Sequence, residues 1–304
     1  MKTKLNANHP LFNALSDKSP LWWKKLKSDR ELYIDVRKDN SINVYYNGAS
    51  FMKLEYVSGA FRAEIHPKFI PLDTGDGYIP FDFLNGNIIL PTLKSIEINN
   101  FHDSAIKAIK ERIKLINTNE SEKGIQGKYI TENYASKKER GFFIDSEFAS
   151  SRDNSRIDMV WVDIQGKKIA FVELKIIDNY SLYSNKKQSK KSIDEQLKKY
   201  WVFASKEKSD LKKYFSHVLQ VKRRLGILPT YVGETSLEDF ELIEKPILLI
   251  GNCTKPWITD NAKRINDSIE EIAFGSVYRG VGTNTFEIPN KTNLRRNMYQ
   301  LSSD

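Results

Sequence analysis

With 304 residues, 40% of them hydrophobic, the chain can bury a real core in one large or two modest domains. Its net charge of +9 suits a polyanionic partner but equally a merely basic protein, so charge alone assigns nothing. The single cysteine, Cys253, excludes an internal disulfide and favours a reducing compartment. No segment reaches the length of a membrane span and Met1 to Phe12 lacks a signal peptide's apolar run, so a cytoplasmic protein without membrane contact is expected.

The first thirty residues read as short helical or loop pieces, with a helix starting near Pro20 and Trp22 and Trp23 as packing anchors. From Glu31 to Ile70 the pattern changes to alternation. Leu32–Val36, Ile42–Tyr46, Phe51–Val57 and Phe61–His66 read as strands, separated by Asp39-Asn40, Asn47-Gly48 and Ser58-Gly59 turns. Together they predict an antiparallel meander of about four strands. Residues 71–100, rich in Pro, Gly and Asp, read as an irregular connection. Ile106, Ile109, Ile113 and Ile116 recur at helical spacing. Thr118–Gly124 looks like a linker. The expected organisation is a β-rich domain over 1–118 and a second domain over 119–304, the latter opening with a helix near Ile125–Lys137.

The second domain carries the chemistry. Phe142–Phe148 reads as a strand leading through Ser151-Arg152-Asp153-Asn154 into Arg156–Val162. A turn at Gln165-Gly166 then returns the chain as Ile169–Lys175. A core strand has no need of Asp158, Glu173 or Lys175, because a buried ionised group is costly unless it is paired or bound to a metal. Glu173 and Lys175 are two apart and leave the same strand face. Antiparallel pairing returns Asp158, near the start of its strand, beside the end of the next. Two carboxylates so placed can share Mg²⁺ or Mn²⁺, which prefer oxygen ligands. The lysine can orient an attacking water or stabilise charge developing on a phosphate.

At these residues the chain resembles the PD-(D/E)XK nuclease superfamily, whose signature is an aspartate on one strand and Glu-x-Lys on the next. Ile157 stands where the family usually has proline. Gln196-Leu-Lys-Lys-Tyr200 is similar to the helix motif of the RecB-like branch, and Gln196 and Tyr200, four apart, share one helix face. The resemblance covers about residues 120–255. It implies a restriction-endonuclease-like α/β fold, a mixed sheet flanked by helices. It also implies a Mg²⁺- or Mn²⁺-dependent hydrolase, an endonuclease acting on DNA with RNA not excluded, in restriction or phage defence. Asp158 and Glu173 would be the metal ligands, Lys175 the catalytic cation, and Gln196 and Tyr200 the residues orienting the substrate or bracing the lysine. Many members carry a further acid on the helix before the first core strand, where Glu132 stands. Glu147 is its rival, since a turn centred on 151–154 sets it nearly opposite Asp158. The alternative is a nucleic-acid-binding or regulatory module with little cleavage. The meander's edge strands would allow a homodimer.

Other motifs add less. The four histidines lack zinc-like spacing, and neither a Gly-rich phosphate loop nor a Gly-x-Ser-x-Gly elbow is present. Asn179–Lys191 is a polar, basic loop joining the Glu173 strand to the Gln196 helix. Lys186, Lys187, Lys190 and Lys191 could grip phosphates there, with Tyr180 and Tyr183 as stacking faces. Lys222-Arg223-Arg224 is a second basic cluster that nothing in the sequence ties to the site. Each lysine that neutralises a phosphate adds about 0.7 to 0.9 to the slope of log affinity against log salt. Replacing the four loop lysines with Gln is therefore expected to weaken nucleic-acid binding and to flatten that slope by roughly 3. Binding isotherms at several salt concentrations check this; a loop that is only a connector leaves affinity and slope unchanged.

Overall fold

Alternation and turn chemistry produce the strands over 32–36 and 42–46 as read. The structure, a computed structural model, describes residues 5–65, 69, 95–97, 103–118, 120–135, 140–149, 156–183 and 192–289. It divides into two compact units. The N-terminal unit comprises Thr3–Thr131 with His217–Leu228; the C-terminal unit comprises Glu132–Ser216 and Pro229–Asp304. Among the described residues no helix is long and apolar enough to cross a membrane.

In the N-terminal unit, α1 (Pro10–Asp17) and α2 (Leu21–Ser28) precede an antiparallel sheet in the order β1 (Leu32–Val36), β2 (Ile42–Tyr46), β3 (Ala49–Val57), β4 (Ala60–Glu64), β5 (Ser95–Glu97). Asn47-Gly48 and Ser58-Gly59 all take positive φ, the conformation of two-residue hairpin turns. Trp22 and Trp23 are buried, Trp22 meeting Phe61 edge-on at 5.2 Å. β5 falls in the stretch expected to be irregular, and the expected end of the fourth strand, His66, lies outside the described residues. α3 (Asp103–Ile116) follows, its Lys110 held by Asp29 at 2.5 Å and Glu31 at 2.9 Å.

The boundary drawn at residue 118 differs from this division. The supposed linker is partly helical, for Glu122 already opens α4 (Glu122–Ala135), and the Ser121 hydroxyl accepts the Gly124 N–H. α4 meets the β2–β3 turn backbone to backbone. A side chain on Gly127 would stand 2.6 Å from the Gly48 nitrogen, and one on Gly48 would stand 1.8 Å from the Lys123 carbonyl oxygen. That contact keeps α4 to Thr131 with the N-terminal unit. Residues 217–228 return to it through Lys222, which is fully buried and 2.9 Å from the buried Asp35 carboxylate. Lys222 is therefore a structural counter-ion rather than part of an exposed basic cluster. Arg224 likewise donates to the Ala7 carbonyl at 2.5 Å.

The C-terminal unit is α/β. Its mixed sheet runs β10 (Gly275–Gly280), β9 (Glu241–Cys253), β8 (Lys168–Ile176), β7 (Arg156–Asp163), β6 (Gly141–Ala149). β6, β7 and β8 are successively antiparallel, whereas β9 and β10 run parallel to β8. Parallel neighbours need crossovers, supplied by α5 (Ile193–Leu225) and α6 (Lys255–Ile269). α5 is interrupted at Glu207, and its residues to Ser216 belong to this unit. It packs Phe203, Tyr214 and Phe215 against Phe148 and Phe171 of the sheet. α6 packs Ile258, Ala262 and Ile265 with Leu248, Ile250 and Tyr278, and the buried Cys253 joins that core. α6 and β10 were not anticipated from the sequence.

A mid-helix glycine ordinarily gains up to about 1 kcal/mol on becoming alanine. Gly127→Ala is expected to do the reverse, losing about 1–3 kcal/mol as an overpacked contact does, because the methyl group has backbone rather than a flexible side chain before it. Urea midpoints of the two chains check the sign.

Candidate active site

The register explains how three charged residues meet inside an apolar sheet. The β7–β8 pairs run from Asp163–Lys168 to Met159–Val172, so the next step sets Asp158 against Glu173. Beyond the last pair the Asp158 carboxylate accepts the Leu174 N–H at 2.9 Å. Alternation puts Phe171, Glu173 and Lys175 on one face of β8, with Leu248 and Ile250 of β9 level with the two charged residues. Lys175 Nζ lies 2.5 Å from Glu173 Oε1 and 3.9 Å from Asp158 Oδ2, and also donates to the Leu174 carbonyl at 3.0 Å. The ammonium thus sits where a cation bridging the two carboxylates would sit.

Glu173 is 2% exposed and Lys175 6%. Burial, and next the neighbouring Asp158 charge, push the Glu173 carboxyl up to about 8, against the opposing pull of Lys175 and Tyr200. Glu173 Oε2 is buried without a hydrogen-bond partner among the described residues. An acceptor in that position is costly unless something electropositive reaches it. Two hard carboxylate oxygens, one of them lacking a partner, suit a divalent ion that takes oxygen ligands.

Of the helix residues, Tyr200 is brought to this site. Its hydroxyl donates to the Arg156 carbonyl at 2.5 Å, and it favours the ionised form of Glu173. Gln196 lies one turn earlier on α5 and is half-buried. Neither rival acid completes a cluster. Glu147 stands across from Asp158, between the pairs Ser146–Met159 and Phe148–Ile157, but its φ is 51° and its carboxylate pairs with Arg156 at 3.3 Å. Glu132 is exposed and accepts the Asn284 side-chain amide at 2.8 Å. Among the described residues no group of three or more His, Cys, Asp or Glu is placed to hold a metal. Lys186, Lys187, Lys190 and Lys191 lie outside the described residues.

No family model matches the chain. Neither does any curated protein or solved structure.

The sequence reading missed Arg156, whose carbonyl seats Tyr200 and whose guanidinium occupies Glu147. It also missed Arg264 and Trp257, which flank Tyr183. Only the alternation of β7 could have flagged Arg156, two residues before Asp158 and on the same face.

The folded chain holds the Glu173 proton to about pH 8, whereas an unfolded chain releases it near 4.5. This contribution to stability is therefore complete below pH 4.5 and is lost as pH rises through 8. In EDTA, the urea midpoint of the wild type should fall over that interval relative to Glu173→Gln, with the two profiles keeping a constant offset below it. Parallel profiles throughout would show that Glu173 does not hold its proton in the fold.

Proposed function

We propose that the chain is a Mg²⁺- or Mn²⁺-dependent nuclease of restriction-endonuclease-like fold that hydrolyses phosphodiester bonds, in DNA before RNA. The observation that carries the reading is the convergence of Asp158, Glu173 and Lys175 at the ends of two adjacent sheet strands, with a buried Glu173 oxygen that accepts no hydrogen bond among the described residues. Two further features support it. The sheet passes from antiparallel to parallel pairing at the strand that carries Glu-x-Lys, and Tyr200 of the Gln-x-x-x-Tyr helix reaches the same spot.

Asp158 and Glu173 would hold the divalent ion, which supplies Lewis acidity to the phosphodiester and to water. Glu173 must give up its proton to do so. Lys175, released from its bridging position, turns its ammonium to the substrate, positions the attacking water and offsets charge developing on the phosphate. Tyr200 fixes the start of β7 through the Arg156 carbonyl and so fixes Asp158. Gln196, on the same helix face, orients the substrate backbone. A second reading, a nucleic-acid-binding module with little cleavage, is favoured by the absence of a third acid from the cluster among the described residues.

Incubation with plasmid, linear duplex, single-stranded DNA and RNA, each with Mg²⁺, Mn²⁺ or EDTA, separates the two. Metal-dependent cleavage is expected, lowered by about 100-fold or more in Asp158→Asn, Glu173→Gln and Lys175→Ala, the scale of losing a charge-stabilising group. Lys175→Ala also removes the counter-ion of a buried carboxylate, so melting curves run alongside distinguish lost chemistry from lost fold. Binding without cleavage in any metal would favour the second reading.

A further inference from the structure

Beyond the charged cluster, the same end of the C-terminal unit's sheet carries an aromatic surface that the reaction itself does not use. β8 and β9 are parallel and their last pairs include Ile176–Gly251, so the segments that follow them leave from one end. That is the end that carries Glu173 and Lys175, and crevices at the carboxyl ends of parallel strands are where open α/β sheets take ligands. After β8 come Tyr180 and Tyr183, 59% and 44% exposed. After β9 comes α6, with Trp257 in its first turn and Arg264 two turns on. Five residues of chain reach at most about 18 Å, so Tyr180 lies within a few nucleotides' length of Lys175.

Tyr183, Trp257 and Arg264 hold one another in place. The Tyr183 hydroxyl donates to the Ile177 carbonyl at 2.6 Å and accepts the Trp257 indole N–H at 2.7 Å. The Arg264 guanidinium lies 5.5 Å from the Tyr183 ring centroid and donates to the Leu182 carbonyl at 3.0 Å. The turn beneath is tied by Asn179, whose side chain accepts the Ser181 N–H. A large aromatic ring that stays exposed while its hydroxyl is fixed twice over is an unusual outlay for a surface loop. Tyrosine offers a flat contact face, and one already ordered loses little freedom on binding. Bases stack on such rings regardless of sequence, and arginine adds a cation–π face and a charge for the backbone.

We propose that Tyr180, Tyr183 and Arg264, with Trp257 as a positioning residue, form a stacking surface for unpaired bases of a single-stranded nucleic acid beside the candidate active site. The proposal rests on the nuclease reading for its substrate and adds that the substrate, or a stretch of it, is single-stranded there.

The test uses fluorescence anisotropy in EDTA with a labelled single strand, the same strand carrying three adjacent abasic positions, and the matching duplex. The wild type should bind the intact strand more tightly than either of the others. Tyr180→Ala and Tyr183→Ala should each weaken binding of the intact strand by about five- to 150-fold, the effect of losing one base–aromatic stack of about 1–3 kcal/mol. Their salt slopes should match the wild type, since a ring makes no phosphate contact. Tyr183→Phe keeps the ring but loses both hydrogen bonds that order it, so its binding should fall between wild type and Tyr183→Ala, whereas a merely structural strut would fail in Phe as in Ala. Equal affinity for abasic and intact strands, or wild-type binding by both alanine variants, would overturn the proposal. Cleavage measured in parallel keeps the two claims apart. Base-dependent binding without metal-dependent cutting sinks the nuclease reading alone, and cutting with no dependence on bases or rings sinks the stacking surface alone.

Discussion

The C-terminal unit is organised around a charge problem. Glu173 and Lys175 stand on a sheet face that also buries Val160, Phe171, Leu248 and Ile250, and neither is expected there without the other. A buried carboxyl–ammonium pair of this kind is weak as a source of stability, because desolvation outweighs the attraction and keeps the proton on Glu173. Breaking it is severe. The surrounding packing therefore has to carry the unit, and the aromatic group of Phe148, Phe171, Phe203, Tyr214 and Phe215 does so on the same face. Asp158 adds a second negative charge that raises the cost and prepares the place for a cation.

The strand directions make this arrangement accessible. Had β9 run antiparallel to β8, a short hairpin would have closed over the end that bears Glu173. Parallel pairing sends the chain away through α5 instead, so that end stays lined by loop and helix starts. It also explains why Tyr183 and Trp257, 74 residues apart in sequence, share a hydrogen bond.

Local patterns carried the parts of the fold that depend on neighbours in sequence. β1 and β2 begin and end where alternation and the Asp-Asn and Asn-Gly turns put them. The parity of Glu173 and Lys175 and the antiparallel return of Asp158 were equally legible, because a strand's period of two fixes which side chains meet. What failed depended on distant partners. Lys222 reads as a surface charge until Asp35 is seen beside it. α4 reads as half linker because its start has few apolar residues, and only the glycine-to-glycine approach at Gly48 shows what it packs on. Glu147 stands in register where it was read, but its positive φ and the Arg156 guanidinium beside it are written in no spacing. α6 has its proline and Thr254 cap in plain sequence, but the partners that bury it, Leu248, Ile250 and Tyr278, lie on other strands and leave no local signal.

The pairing of Asp35 with Lys222 has a consequence for synthesis. The two residues are 187 positions apart, and the N-terminal unit is complete only once His217–Leu228 has been made. At about 5–20 residues per second, Asp35 waits on the order of 10–40 s on the ribosome before its counter-ion exists. Until then β1 carries a carboxylate destined for burial with no Lys222 to meet it. The unit that is first in sequence thus gains its buried counter-ion only after the whole Asp158–Glu173 hairpin has been translated, yet still before β9 and β10 of the other unit are made.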